Sequence, residues 1–262
     1  MTNGIVLRPN VEQADIGALR DAYTKMQALS SDDNRSWRYW AGYHGFPGYY
    51  CWHHGRIGGG DTALPYNLFL PWHRAYLVYW DSVTRDQNDK AVLPWWDWTS
   101  PLSRQNGIPA SYAQVEVDSR PNPLASGPTR NMPGDPARRT RRFPGPPVAL
   151  PTVRRINQLL DLMQFEDFSG QFEDVHDSVH GWVDGDMGAI TAAAYDPVFW
   201  IHHCMVDRLW YLWQLKHGIS NIPQSYLGRT LEPFGYTVAD VLDIRRLGYE
   251  YAAGSTAVII GG

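Results

Sequence analysis

DPVFWIHHCMVDRLWYLWQLKHG, residues 196–218, carries its own start and stop signals. Asp196 suits a helix N-cap, Pro197 the first helical position, where its missing N–H costs nothing, and Gly218 the terminus. Neighbouring side chains on a helix point about 100° apart, so His202 and His203 cannot face one point in space. One of the two is therefore expected to face a shared target, while the other turns toward a carbonyl or carboxylate. Asp207, four residues after His203, is placed to brace a ring nitrogen or to pair with Arg208.

Working outward, HDSVH at 176–180 sets His176 and His180 at i and i+4 within QFEDVHDSVHGWV, on one face of a second helix. Such a pair can hold one metal ion, and a third ligand must come from a separate element. Upstream, Thr152 caps TVRRINQLLDLM, whose Ile156, Leu159, Leu160 and Met163 share a face. The stretch 120–151, dense in Pro, Gly and Arg, holds little regular structure and reads as a solvated surface loop, with an anion-binding segment as the alternative. In the first half, helices are expected over 15–29, over Ser36 to Gly45, and from Pro71 through WHRAYLVYWDSVTRDQ; a last helix is expected from Thr237 to Leu247. Period-two patterning is weak, so the class is mainly α with long loops and few short peripheral strands.

At 262 residues and 44% apolar composition, the chain supports a sizeable core in one domain spanning 1–262. A net charge of −4 gives no reason to expect nucleic acid or an acidic membrane surface as a partner. The N-terminal stretch has no signal-peptide pattern, and no run is long and apolar enough to span a membrane, so a cytoplasmic location is expected. Cys51 and Cys204 allow at most one disulfide.

Apart from His217, read as a charge near a helix C-terminus, the nine histidines fall into two groups: His44, His53, His54 and His73 before the Pro-rich stretch, and His176, His180, His202 and His203 after it. Imidazoles with no carboxylate among them suit copper, or zinc as second choice, better than magnesium or calcium, which demand oxygen ligands. Two sets of three imply two metal ions facing one another.

The stretches YHGFPGYYCWHH, NLFLPWHRAYLVYW, LPWWDW, HDSVHGWVDGDM and DPVFWIHHCMVDRLW, spanning residues 43 to 210, resemble those of the type 3 dicopper proteins: tyrosinases, catechol oxidases and haemocyanins. The resemblance implies a four-helix bundle housing two copper ions that work on O2 as co-substrate. It assigns His44, His53 and His73 to the first copper and His176, His180 and His203 to the second, with His202 behind them and Phe199 packed over the site. His54 is the substitute for His53, because Leu64 stands where many relatives carry that ligand; Cys51 fits a C-x-H arrangement that in fungal and molluscan relatives joins the cysteine to the ligand as a thioether, which favours His53. Asp177 stands where efficient monophenol hydroxylases of the family carry Asn, and acts as a base or hydrogen-bonds its own histidine. Glu166, Asp167 and Glu173 are candidate acidic partners to it, each otherwise a solvated face.

The expected function is oxidation of o-diphenols to o-quinones by a copper-dependent enzyme, with monophenol hydroxylation. Its neighbours are o-aminophenol oxidation and pure catechol oxidation. Trp72, Trp95, Trp96, Trp98 and Trp200 would form a dry shell. Small phenols are the expected partners, with a copper-delivery protein admitted. A rival of another class is haemocyanin-like O2 carriage, which brings a β-rich shield; the stretch from Gly218 to residue 262 is short for one. A dizinc hydrolase is the weaker rival, since such sites generally recruit bridging carboxylates.

Overall fold

The structure is a computed structural model that describes residues 4–45, 51, 53, 67–131 and 133–253; His54 and Leu64 lie outside them. Ten helices are described: α1 (Ile16–Ala28), α2 (Trp37–Ala41), α3 (Phe69–Gln87), α4 (Pro101–Asn106), α5 (Ala110–Ala113), α6 (Val153–Leu160), α7 (Phe165–Val183), α8 (Ile190–Ala193), α9 (Pro197–His217) and α10 (Gln224–Leu227). Helix α9 forms as its punctuation dictates. The Asp196 carboxylate accepts from the Val198 N–H at 2.9 Å, and Gly218 takes φ +98° at the far end. Every residue from Pro197 to Trp210 is buried, so this part of α9 has no solvent-facing side and runs through the centre of the molecule. Helix α3 packs against α1, α7 and α9, while α6 covers α7 and α9. The short α2 completes the bundle, and the turn that leaves it carries His44. No described helix is long and apolar enough to cross a membrane.

Aromatic packing locks these helices together. Trp80 of α3 stacks on Trp200 of α9 with ring centroids 3.4 Å apart, and Tyr23, Trp37 and Trp80 meet edge to face. The Trp37 indole donates to the Tyr195 carbonyl at 3.1 Å, right beside Gly127. A Cβ at Gly127 would lie 2.1 Å from that carbonyl oxygen, so only glycine lets the long loop approach.

The strands are short and only pair in twos. β1 (Val6–Arg8) runs parallel to β6 (Tyr249–Tyr251), β2 (Glu116–Val117) pairs antiparallel with β3 (Arg120–Pro121), and β4 (Thr230–Leu231) with β5 (Tyr236–Thr237).

Four expectations are corrected. The helix predicted over Ser36 to Gly45 covers only Trp37–Ala41, with Ser36 as its cap. Met163 is 67% exposed, because α6 stops at Leu160. Thr237 to Leu247 is not a helix. It makes only a 3-10 turn over Ala239–Val241, and the Val241 and Leu242 carbonyls that a longer helix would use are taken by the buried Arg74 guanidinium. The stretch 120–151 is irregular as expected, but its arginines staple it to the second half of the chain. Arg138 makes a two-pronged bond to Asp186, and Arg142 one to Asp196 while also donating to the Tyr112 and Leu124 carbonyls.

Candidate metal centre

Two clusters of imidazoles meet at the middle of the bundle. His44 comes from the turn after α2, His53 from the segment before α3, and His73 from the first turns of α3; their ligand atoms lie within 4.8 Å of one another. The second cluster draws His176 and His180 from α7 and His202 and His203 from α9, within the same limit. The clusters face each other directly. The His73 and His203 rings stack with centroids 4.3 Å apart and planes 11° off parallel, and His53 lies 5.3 Å from His176.

The hydrogen bonds on one side of each ring decide what the other side can do. Nδ1 of His44 bonds the Ile190 carbonyl at 2.8 Å, Nδ1 of His73 the Phe69 carbonyl at 2.8 Å, and Nδ1 of His180 the Met187 carbonyl at 2.7 Å. A carbonyl only accepts, so in each case Nδ1 carries the proton and Nε2 is left with its lone pair. His176 does the same toward Asp177 Oδ1 at 2.9 Å, and His53 Nδ1 sits 3.3 Å from Glu173 Oε1. These Nε2 atoms then crowd together. His53 and His44 approach to 3.4 Å, His176 and His203 to 3.2 Å, and His180 and His203 to 3.4 Å, while His73 Nε2 is buried with no hydrogen-bond partner. Lone pairs at that spacing repel unless a cation sits between them, and two nitrogens 3.2 to 3.4 Å apart can both lie about 2 Å from one ion, the usual imidazole-to-metal distance. The donor sets therefore fit a pair of metal ions. The Asp177 carboxylate reaches His53 and His176 on their Nδ1 sides, away from the Nε2 atoms.

Electrostatics agree with neutral ligands. Burial, reinforced by the neighbouring imidazoles, holds His73, His176, His180 and His203 well below the ordinary histidine range, so they keep their lone pairs at neutral pH. His53 differs. Burial would lower it, but the Cys51 thiolate and Glu173 outweigh that and raise it to about 10, while Cys51, which burial would raise, is held down by His44 and His53. A metal at His53 has to displace that proton. Both cysteines are buried, and neither is in a disulfide.

Phe199 lies at the junction, its ring 4.1 Å from His203 and 4.8 Å from His44. Trp72 packs 4.9 Å from His73, whereas Trp200 stacks on Trp80, and Trp95 lies beneath the Arg208 guanidinium. A cavity of about 270 Å³ opens onto the site, lined by His44, His53, His176, Asp177 and His180 with an apolar rim of Met187, Ile190 and Ala193.

Some roles differ from expectation. His202 stacks on His176 at 5.0 Å and lies against the backbone of His176 rather than against a carboxylate. Asp207 braces neither His203 nor Arg208; it takes bonds from Arg74, Tyr249 and Tyr251. Glu166 and Asp167 are exposed, but Glu173 is fully buried against His53 and Asn67. Of the three acids offered as candidates, Glu173 is the one the fold carries to the imidazoles, three residues before His176 on α7. His217 bonds the Leu160 carbonyl at 2.8 Å, at the end of α6 rather than of its own helix.

A family model described as the common central domain of tyrosinase matches residues 34–216. The chain belongs to the tyrosinase family. This type 3 copper family implies two copper ions and includes both oxidases and oxygen carriers. The chain is 27% identical over 288 residues to the A-type haemocyanin, units Ode to Odg, of Enteroctopus dofleini, covering 95% of itself but 22% of that protein. It is 29% identical over 212 residues to a tyrosinase of Streptomyces antibioticus, covering 68% of itself and 77% of the relative. It spans only 9% and 8% of two further haemocyanins. Among solved structures, a functional unit of octopus haemocyanin superposes with a TM-score of 0.72 at 26% identity, over 94% of this chain and 68% of that one. A tyrosinase from Burkholderia thailandensis shares the helical fold, with a TM-score of 0.79 at 22% identity over 97% and 75%.

Proposed function

We propose that this tyrosinase-family chain is a copper-dependent oxidase of o-diphenols, with monophenol hydroxylation, rather than an oxygen carrier. The observation that supports this reading is the cavity of about 270 Å³ reaching imidazoles of both clusters, since a carrier has to keep phenols out while an oxidase has to admit them. His44, His53 and His73 hold one copper, and His176, His180 and His203 the other. Bound copper supplies a two-electron couple matched to the reduction of O2 by an o-diphenol.

The chain's own residues do the rest. Met187, Ile190 and Ala193 receive the face of an aromatic ring, and Phe199, wedged between His44 and His203, keeps water from the inner side. Asp177, at the cavity wall, takes the proton of an incoming phenol, a role shared with the hydrogen bond it accepts from His176. The similarity to haemocyanins favours reversible O2 binding as the second reading. Copper-loaded protein is therefore assayed for O2 consumption with L-DOPA, L-tyrosine and o-aminophenol, alongside O2 binding without a phenol. Turnover on L-DOPA is expected; reversible O2 uptake with no phenol consumption makes the chain a carrier, and a preference for o-aminophenol reassigns the substrate.

A further inference from the structure

Arg74 directly follows His73 on α3, and Asp207 lies one turn beyond His203 on α9. Both side chains are buried, and the Arg74 Nε donates to Asp207 Oδ1. The same guanidinium donates to Gln214 Oε1 at 2.9 Å and lies 3.6 Å over the Trp210 ring. The other carboxylate oxygen, Oδ2, accepts the hydroxyls of Tyr249 and Tyr251, with Arg8 3.8 Å away. Asp207 thus splits its two oxygens between two tasks: one ties α9 to α3, and the other ties α9 to the C-terminal strand.

We infer that the Arg74–Asp207 pair positions the two metal sites relative to one another by fixing the register of α3 against α9; this rests on the reading of the six imidazoles as ligands of two ions. Beyond the bonds of Arg74 itself to Asp207 and Gln214, the two helices meet through stacked rings such as Trp80 on Trp200, and apolar contact is non-directional and tolerates sliding. A planar guanidinium held on a buried carboxylate does not. The imidazoles it governs, His73 and His203, are the ones stacked 4.3 Å apart across the clusters, where an error of half an ångström changes the separation of the ions. Arg74 and Asp207 are positioning residues, since neither touches the cavity.

The test loads wild type, Asp207→Asn, Arg74→Lys and the double variant Tyr249→Phe/Tyr251→Phe with copper. Bound ions are counted by equilibrium dialysis, and the metal–metal distance is measured by X-ray absorption. Wild type is expected to hold two ions at one defined separation. Asp207→Asn and Arg74→Lys are expected to weaken the second ion by about 10- to 100-fold and to lose the metal–metal scattering. The tyrosine double variant unfolds more readily yet keeps both ions and their spacing, as does Arg35→Ala, a control that loses only an exposed ion pair with Asp33. Should Asp207→Asn fail to fold, Arg74→Lys carries the test. Two ions at the wild-type separation in the charge-pair variants overturn the inference, and so does loss of the spacing in the tyrosine variant. A wild type that never binds two ions overturns the ligand reading beneath it instead.

Discussion

Arg142→Met is expected to be among the most damaging single changes outside the imidazole clusters. Asp196 is fully buried, and both its oxygens lie 2.9 Å from Arg142 Nε, with Nη2 at 2.8 Å. With the guanidinium gone, the carboxylate keeps only the Val198 N–H that caps α9. Stranding one half of a buried ion pair costs about 3–5 kcal/mol. The Tyr112 and Leu124 carbonyls, at 2.7 and 3.0 Å from the same side chain, lose a donor each and add about 1 kcal/mol apiece. At about 2–4 °C per kcal/mol for a chain of this size, the melting temperature should fall by roughly 10–30 °C. Circular-dichroism melts of metal-free protein measure it. Arg142→Lys should lie between, and adding Asp196→Asn to Arg142→Met should recover part of the loss. The exposed neighbour Arg141→Met should change stability by no more than about 0.5 kcal/mol. A drop below about 3 °C for Arg142→Met would show that the 120–151 stretch is solvated loop after all.

His176→Ala should reduce bound copper from two ions per chain to one; two ions retained would place the second site elsewhere. Asp177→Asn, which removes the proposed base, should lower the ratio of L-tyrosine to L-DOPA turnover, and an unchanged or higher ratio removes Asp177 from control of hydroxylation. Metal-free protein should lose stability as pH falls below about 6.5, because the unfolded chain takes protons there that the buried histidines refuse. His202 alone, lowered by burial to about 3, contributes a loss of about 2 kcal/mol by pH 5. Urea midpoints that stay level from pH 7.5 to 5 would contradict this.

The long helices were legible because their information is local. Asp196, Pro197 and Gly218 punctuate α9 in the sequence itself, and the HxxxH pair needs only helical geometry to share a face. What escaped was settled by distant partners. Thr237 to Leu247 has a helical pattern, but Arg74, more than 160 positions earlier, claims its carbonyls. Glu173 looks like any surface acid on an amphipathic helix until His53 arrives from the other half of the chain. The arginines of 120–151 look solvated because Asp186 and Asp196 lie well downstream. Asp207 was expected to serve its own helix, as i,i+4 reasoning suggests, whereas its partners sit on α3 and β6.

The peptide oxygens that fasten His44 and His180 belong to Ile190 and Met187, whose side chains also frame the opening through which a substrate enters. Any amino acid at these two positions brings the same oxygen. The doorway can therefore be recut, wider or narrower, greasier or more polar, while the rings behind it stay fastened as before, and descendants of this chain are free to change what they admit without rebuilding what they hold.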